Sequence, residues 1–268
     1  MFIFFIFFTI LILILVFFFI KNNKKEEDLM NKYSKDCTKE LVIKKVLDKY
    51  KACENKNCTH CSILADINDE YILPTVHPNI VNEEDVKYML NKSENYFKDS
   101  VTVGGVDKNI RKSQTAWLDK YDPVVQKIIL KVCNLTNTPF ENAENLQVVK
   151  YEKDGFYNEH FDSVSSNCVS SKKFLNDGGH RIVTMLIYLN DDFEEGSTRF
   201  VTLGKDIKPP KYSGILFYTL NKNMNNVHPN SLHAGLPIKS GFKYIANVWL
   251  RKSEFPYNFK RDQHLLAL

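Results

Sequence analysis

Ile182-Val183-Thr184-Met185-Leu186-Ile187-Tyr188-Leu189 is apolar or aromatic at every position but Thr184, and the turn cluster Asn176-Asp177-Gly178-Gly179 stands just before it. A short run of this kind next to turn residues reads as a strand. Four more runs share the texture, at residues 146–151, 156–161, 215–220 and 244–250, with a second turn cluster at 221–226. Many short strands separated by turns predict a sandwich, jelly roll or barrel. Upstream the pattern is helical. Asn82 before Glu83-Glu84-Asp85 reads as an N-cap, with the acids at the positive end of the helix dipole. Asp122-Pro123 opens another helix, which carries Val125, Ile128, Ile129 and Val132 on one face. Val42, Ile43, Val46 and Leu47 predict a shorter helix within residues 37–50. The expected fold is therefore mainly β with N-terminal helices, an α+β arrangement in which the helices buttress a β core.

The 268 residues, 44% hydrophobic and 25% charged with a net charge of +4, leave ample chain to bury such a core and exclude a disordered protein. Ten Gly and nine Pro exclude collagen-like architecture. No strongly basic segment asks for nucleic acid. There is no Gly-rich phosphate loop and no Gly-x-Ser-x-Gly elbow, which sets aside nucleotide binding and serine hydrolysis.

The N-terminus departs from the average. Phe2 to Ile20 carry no charge, Thr9 is their only polar side chain, and eight of the nineteen Phe fall among them. At a rise of about 1.5 Å per residue that stretch reaches roughly 28 Å, close to the hydrocarbon thickness of a bilayer. No Lys or Arg precedes it and no small-residue cleavage site follows, so it reads as an uncleaved signal anchor rather than a signal peptide. Lys21, Lys24 and Lys25 flank its C-terminal side and would hold the body of the protein in the cytosol. The cysteines argue the other way. Cys37, Cys53, Cys58 and Cys61, with Cys133 and Cys168, make an even six, a usage that fits disulfides in an oxidising lumen. A zinc site on the first four, with His60, is the alternative, although Cys-x-x-Cys occurs once. The Asn-x-Ser/Thr acceptors at Asn57, Asn91 and Asn134 are about as many as chance supplies in so Asn-rich a chain. The expected organisation is an anchor at 1–20, a charged tether and cysteine-bearing segment at 21–73, and a catalytic domain at 74–268.

Tyr157-Asn158-Glu159-His160-Phe161-Asp162 holds a His-x-Asp. Residues two apart on a strand share a face, so His160 and Asp162 can aim at one metal, and a third ligand would complete a facial triad with open positions. His233 follows about seventy residues later, and ten beyond it Lys243 opens the run Lys243-Tyr244-Ile245-Ala246-Asn247-Val248-Trp249-Leu250-Arg251. Lys243, Ile245, Asn247, Trp249 and Arg251 share a strand face. A buried lysine there is costly unless an anion pairs it. The plain alternatives are a solvated strand end for Lys243 and ordinary core packing for Trp249.

With Arg111-Lys112-Ser113, residues 144–151 (Glu144 through Tyr151), Gly179 through Leu189, Glu195-Gly196-Ser197-Thr198-Arg199-Phe200 and Ser231-Leu232-His233-Ala234-Gly235-Leu236-Pro237, the pattern between roughly Pro74 and Phe255 resembles a prolyl 4-hydroxylase of the iron(II) and 2-oxoglutarate dependent dioxygenases. The resemblance implies a double-stranded β-helix, or jelly-roll, core behind a single N-terminal transmembrane helix. It implies iron on His160, Asp162 and His233, and 2-oxoglutarate on Tyr151 and Lys243 with Thr198. Tyr157, Arg181 and Trp249 would line the place of the peptide proline. The implied reaction is hydroxylation of peptidyl proline at its 4-position, of the procollagen-proline 4-dioxygenase type, using O2 and releasing succinate and CO2. L-ascorbate is the further implied cofactor and a proline-containing protein or peptide the partner. The implied location is the endoplasmic reticulum membrane, single-pass, with a lumenal catalytic domain.

Three departures stand out. Glu195-Gly196-Ser197-Thr198 replaces the usual Gly-Gly-Glu-Thr, Lys112 replaces the common Thr after Arg111, and residues 163–176 are longer and more Ser-rich than the pattern. Rival readings are the same chemistry on a lysyl or nucleic-acid target, where Arg usually stands in place of Lys243, a non-enzymatic metal-binding jelly roll, and a cupin-type enzyme without 2-oxoglutarate. The oligomeric state is not encoded in these motifs.

Overall fold

The computed structural model describes residues 64–102, 105–164 and 174–256, with scattered positions between residues 12 and 36. Its strands are β1 (Ser34–Asp36), β2 (Thr75–His77), β3 (Lys98–Asp99), β4 (Arg111–Lys112), β5 (Gln114–Leu118), β6 (Leu146–Tyr151), β7 (Phe156–His160) and β8 (Arg181–Tyr188). They continue with β9 (Glu194–Glu195), β10 (Thr198–Phe200), β11 (Lys205–Ile207), β12 (Gly214–Tyr218), β13 (His233–Gly235), β14 (Ile238–Ser240) and β15 (Lys243–Arg251). The helices α1 (Glu83–Ser93) and α2 (Pro123–Thr136) precede the long strands.

A seven-stranded sheet runs β2-β12-β8-β15-β6-β5-β3 and a six-stranded sheet runs β1-β11-β10-β13-β7-β4, while β14 pairs with β9. Pairing is antiparallel throughout both large sheets. The larger sheet is buried on both faces. Met185 and Ile187 of β8 join Val148, Ala246 and Val248 in one cluster with Met89 of α1 and Val125, Ile128, Ile129 and Val132 of α2. Leu186 and Tyr188 point the other way, to a cluster with Val149, Tyr151, Ile245, Phe200 of β10 and Ile207 of β11. A strand covered on both sides has no polar face, so 182–189 reads as a continuous apolar run rather than an alternating one. The core of the jelly roll is the space between the two sheets, and the helices cover the outer face of the larger.

The helix starts are chemically explicit. The Asn82 side chain accepts from the backbone N–H of Asp85 at 2.8 Å and Asp85 accepts in return from the N–H of Asn82 at 3.2 Å, a reciprocal capping box. Asp122 accepts from the N–H groups of Val124 and Val125, ahead of Pro123 at the first turn. At the far end of α2, Asn137 takes the left-handed conformation (φ 50°) that closes a helix.

The folded body begins before Pro74, the boundary expected from the sequence. The N–H of Ala65 donates to the Val227 carbonyl at 2.9 Å, and Tyr71 stacks on His228 while its hydroxyl donates to the Tyr218 carbonyl at 2.7 Å. Residues 34–36, assigned above to the tether, pair as β1 with β11. Among the described residues no helix is long and apolar enough to cross a membrane. The apolar stretch 2–20 lies almost wholly outside them, as do the helix expected within 37–50 and most of the Ser-rich segment. Cys133 is a free, buried thiol of α2, its pKa pushed up to about 11 by burial. The other five cysteines lie outside the described residues, and with them the expected disulfides and the zinc alternative.

Candidate active site

β7 ends beside the start of β13, and His160 stands directly opposite His233 in that pairing. Two residues past His160, Asp162 presents Oδ1 at 3.6 Å from Nε2 of His160 and Oδ2 at 3.8 Å from Nε2 of His233. The three candidate ligand atoms lie within 4.8 Å of one another. The backbone sets the tautomers. Nδ1 of His160 is 2.8 Å from the Asn158 carbonyl oxygen and Nδ1 of His233 is 2.9 Å from that of Ser231. A carbonyl only accepts, so each Nδ1 carries its hydrogen and each Nε2 is the ring nitrogen left to face Asp162 and a metal. Burial, then the neighbouring His233, depresses His160 to about 3, so its imidazole stays neutral.

Asp162 is buried and held by donors. Thr184 Oγ1 donates to Oδ2 at 2.7 Å and Trp249 Nε1 donates to the same oxygen at 3.1 Å. Burial alone would raise its pKa, but His233, His160 and Arg181, with the Thr184 hydrogen bond, outweigh that and hold it at about 2. Two imidazoles and an oriented carboxylate, with ligand atoms within 4.8 Å of one another, form the donor set that iron(II) accepts with positions to spare.

Across the sandwich, Lys243 lies opposite Tyr151 in the β15–β6 pairing and is only 2% exposed. Its Nζ donates to the Gly196 carbonyl at 2.6 Å and to the Tyr188 hydroxyl at 3.4 Å. The rings of Tyr188, Tyr151 and Phe193 surround it at 4.7, 5.5 and 5.9 Å. No carboxylate pairs it among the described residues. Burial, reinforced by Lys208 across Phe193, depresses it to about 7. Thr198 is linked to this pocket through Tyr188, the two hydroxyls lying 2.8 Å apart. The Tyr151 hydroxyl engages Arg111 and Ser113. Lys243 is therefore no solvated strand end but a buried amino group ringed by aromatic side chains, whose charge an incoming anion would pair.

The third group surrounds the metal triad. Tyr157 stacks on His160 with ring centroids 3.5 Å apart, and the Arg111 guanidinium lies 4.6 Å from the same tyrosine ring. The Arg181 guanidinium lies 3.6 Å from the Trp249 ring, and Trp117 packs on Trp249 at 5.9 Å. Every site residue expected from the sequence comes to the sandwich interior or its mouth. Four others that hold the site together were not singled out: Thr184, Tyr188, Glu144 and Ser113. Thr184 left a signal as the polar break in an apolar strand.

Residues 146–251 match the 2OG-Fe(II) oxygenase superfamily. A relative from Acanthamoeba polyphaga mimivirus, named as a prolyl 4-hydroxylase, is 42% identical over 191 residues, which are 71% of this chain and 79% of that one. The chain belongs to the prolyl 4-hydroxylase family of 2OG-Fe(II) oxygenases. Prolyl 4-hydroxylase subunit alpha-1 of Caenorhabditis elegans is 33% identical over 156 residues, 58% of this chain and 27% of that subunit. Prolyl 4-hydroxylase 1 of Arabidopsis thaliana is 31% identical over 170 residues, 58% of each chain. Among solved structures, the viral collagen prolyl hydroxylase of Paramecium Bursaria Chlorella virus-1 in its 2OG complex aligns with a TM-score of 0.53 at 25% identity, covering 70% of this chain and 99% of that one. This prolyl 4-hydroxylase-like protein is thus a 2-oxoglutarate-dependent dioxygenase, and its His-Asp-His cluster has the chemistry for the family's iron.

Proposed function

We propose that the enzyme hydroxylates peptidyl proline at the 4-position, with His160, Asp162 and His233 holding iron(II) and Lys243, Tyr151 and Thr198 forming the 2-oxoglutarate pocket. The observation that carries the reading is Lys243, a fully buried cation on the strand that also bears Trp249, without a carboxylate among the described residues. A non-enzymatic jelly roll has no use for so costly a charge, and lysine rather than arginine in this place disfavours the rival lysyl and nucleic-acid targets. When bound, iron(II) with 2-oxoglutarate and O2 supplies the oxidising power and the oxygen atom, and succinate and CO2 leave. The chain's own residues do the rest. Thr184 and Trp249 keep Asp162 ionised and aimed, Lys243 binds the distal carboxylate, and Tyr157, Arg181 and Trp249 orient the peptide and exclude water.

The membrane reading belongs here too. Residues 1–20 anchor the protein and the cysteine usage favours a lumenal body, against the basic flank of Lys21, Lys24 and Lys25. Two experiments test these statements. The full chain in detergent, given iron(II), 2-oxoglutarate and proline-rich peptides, should add one oxygen to proline by mass spectrometry, and no added oxygen on any of them would sink the activity. Protease added to sealed microsomes should spare the body, and digestion without detergent would put it in the cytosol.

A further inference from the structure

Glu144, two residues before β6, shares one buried carboxylate between two arginines. Oε1 accepts from Nε of Arg181 at 2.6 Å and from Nε of Arg251 at 2.7 Å, and Oε2 accepts from Nη2 of Arg181 at 2.8 Å. The Arg181 pair is a complete two-point fork by itself. Arg251 is an additional cation, 3% exposed at the last residue of β15. Its other side is fully committed. Nη1 donates to the carbonyl oxygens of Phe174 and Gly179, each at 2.8 Å, and the guanidinium lies 4.1 Å from the Phe174 ring. Phe174 and Gly179 bracket the turn that leads into β8, where Arg181 begins.

A second buried guanidinium on one carboxylate is costly unless its geometry is used. Here the geometry has a direction. Arg251 holds the carboxylate that also holds Arg181, whose guanidinium lies 3.6 Å from the ring of Trp249, and the Trp249 indole N–H holds Asp162. Arg251 also fixes the two ends of the turn beside that contact. We propose that Arg251 is a positioning residue for the peptide substrate, acting through Glu144 on Arg181 and through Phe174 and Gly179 on the turn before β8. The inference rests on the reading above in which Arg181 faces the peptide, and Arg251 itself touches neither peptide nor iron.

The test is the full chain carrying Arg251→Gln or Arg251→Lys, assayed with the best peptide for the unaltered enzyme. Arg251→Gln should raise the peptide KM about tenfold or more, the scale on which a supporting partner's loss is felt. The KM for 2-oxoglutarate and the slow succinate formation without peptide should not move. Arg251→Lys keeps the charge but lacks the fork, so its peptide KM should fall between the two. A folded Arg251→Gln enzyme with an unchanged peptide KM overturns the proposal. So does an equal loss of hydroxylation and of peptide-independent turnover, which would mark a general structural role. Should Arg251→Gln not fold, Arg251→Lys decides alone, and a peptide KM equal to that of the unaltered enzyme rejects the idea. Absence of peptide hydroxylation by the unaltered protein would be a different failure, that of the proposed function.

Discussion

Lys243 sits near its midpoint at neutral pH, because burial and the second cation Lys208 depress it to about 7. An arriving carboxylate binds the ammonium and not the amine. The sign follows directly: below neutrality the empty pocket is charged and ready, and above it each bound 2-oxoglutarate must bring a proton. The Kd for 2-oxoglutarate, titrated without oxygen, should rise by about tenfold per pH unit above neutrality until the pKa of the complex is passed. Lys243→Arg should flatten that profile, since guanidinium stays charged. Lys243→Ala should raise the Kd at neutral pH by about ten- to a hundredfold, in line with about 1.5–3 kcal/mol for a charge-assisted contact. A flat profile in the unaltered enzyme would mean that Lys243 stays charged throughout. On the metal side, Thr184→Val leaves Trp249 as the one side-chain donor to Asp162 Oδ2 among the described residues. Iron(II) affinity, measured by chelator competition, should fall by about 10- to 100-fold. Undiminished affinity would show that Thr184 does not orient the ligand. His160 and Asp162 were legible as a spaced pair, although β7 ends at His160 and Asp162 lies in the bend just beyond it. The link of Asp162 to Thr184 was not, because spacing within one run says nothing about which strand comes to lie beside it.

At the scale of elements, β6, β7, β8, β12 and β15 declared themselves by apolar or alternating runs, whereas the equally long β5 went unread and β9, β10 and β13 are two or three residues long and carry no period. Their places were marked by motif alone, although they bear Thr198 and His233. The turn between β9 and β10 shows what a motif departure means physically. Gly196 takes φ 63°, a left-handed conformation, and its carbonyl receives Lys243. Glu195, standing where the family pattern has Gly, takes φ 60° as well. A side chain in that region is strained by about 1–2 kcal/mol, part of which is offset by the greater freedom of glycine in the unfolded chain. Glu195→Gly should therefore stabilise the fold by up to about 1 kcal/mol in a urea titration. A loss of stability would mean that the Glu195 side chain supports the turn in a way its exposure conceals. The helices, in contrast, were readable to the cap, because Asn82 and Asp122 act on their own neighbours in sequence.

For the whole molecule, the buried carboxylates set the acid limit. Burial alone would raise Glu144, but Arg181 and Arg251 outweigh it and hold it at about 2, below its ordinary 4.5. A depressed carboxylate adds stability that is fully present above the unfolded value and is lost as pH falls through the folded one. Thermal stability should thus decline between about pH 5 and pH 2, and Glu144→Gln should weaken that dependence. The same change leaves two buried arginines without their anion and should cost about 3–5 kcal/mol at neutral pH. An unaltered melting temperature would show that water, not Glu144, satisfies them. The sandwich as a class was legible from strand count and turn spacing. The sharing of Glu144 by strands so far apart in sequence was not, since it exists only once β8, β15 and β6 lie side by side in the larger sheet.

The two tryptophans of the chain, Trp117 and Trp249, are packed together beside the Asp162 carboxylate and the Arg181 guanidinium. All the indole emission of this protein therefore originates within one small neighbourhood. Fluorescence becomes a built-in gauge of occupancy: a paramagnetic ion arriving at the histidines should dim it, and a peptide settling against Trp249 should shift its colour. Loading of the enzyme can then be followed in real time, with no label and no turnover.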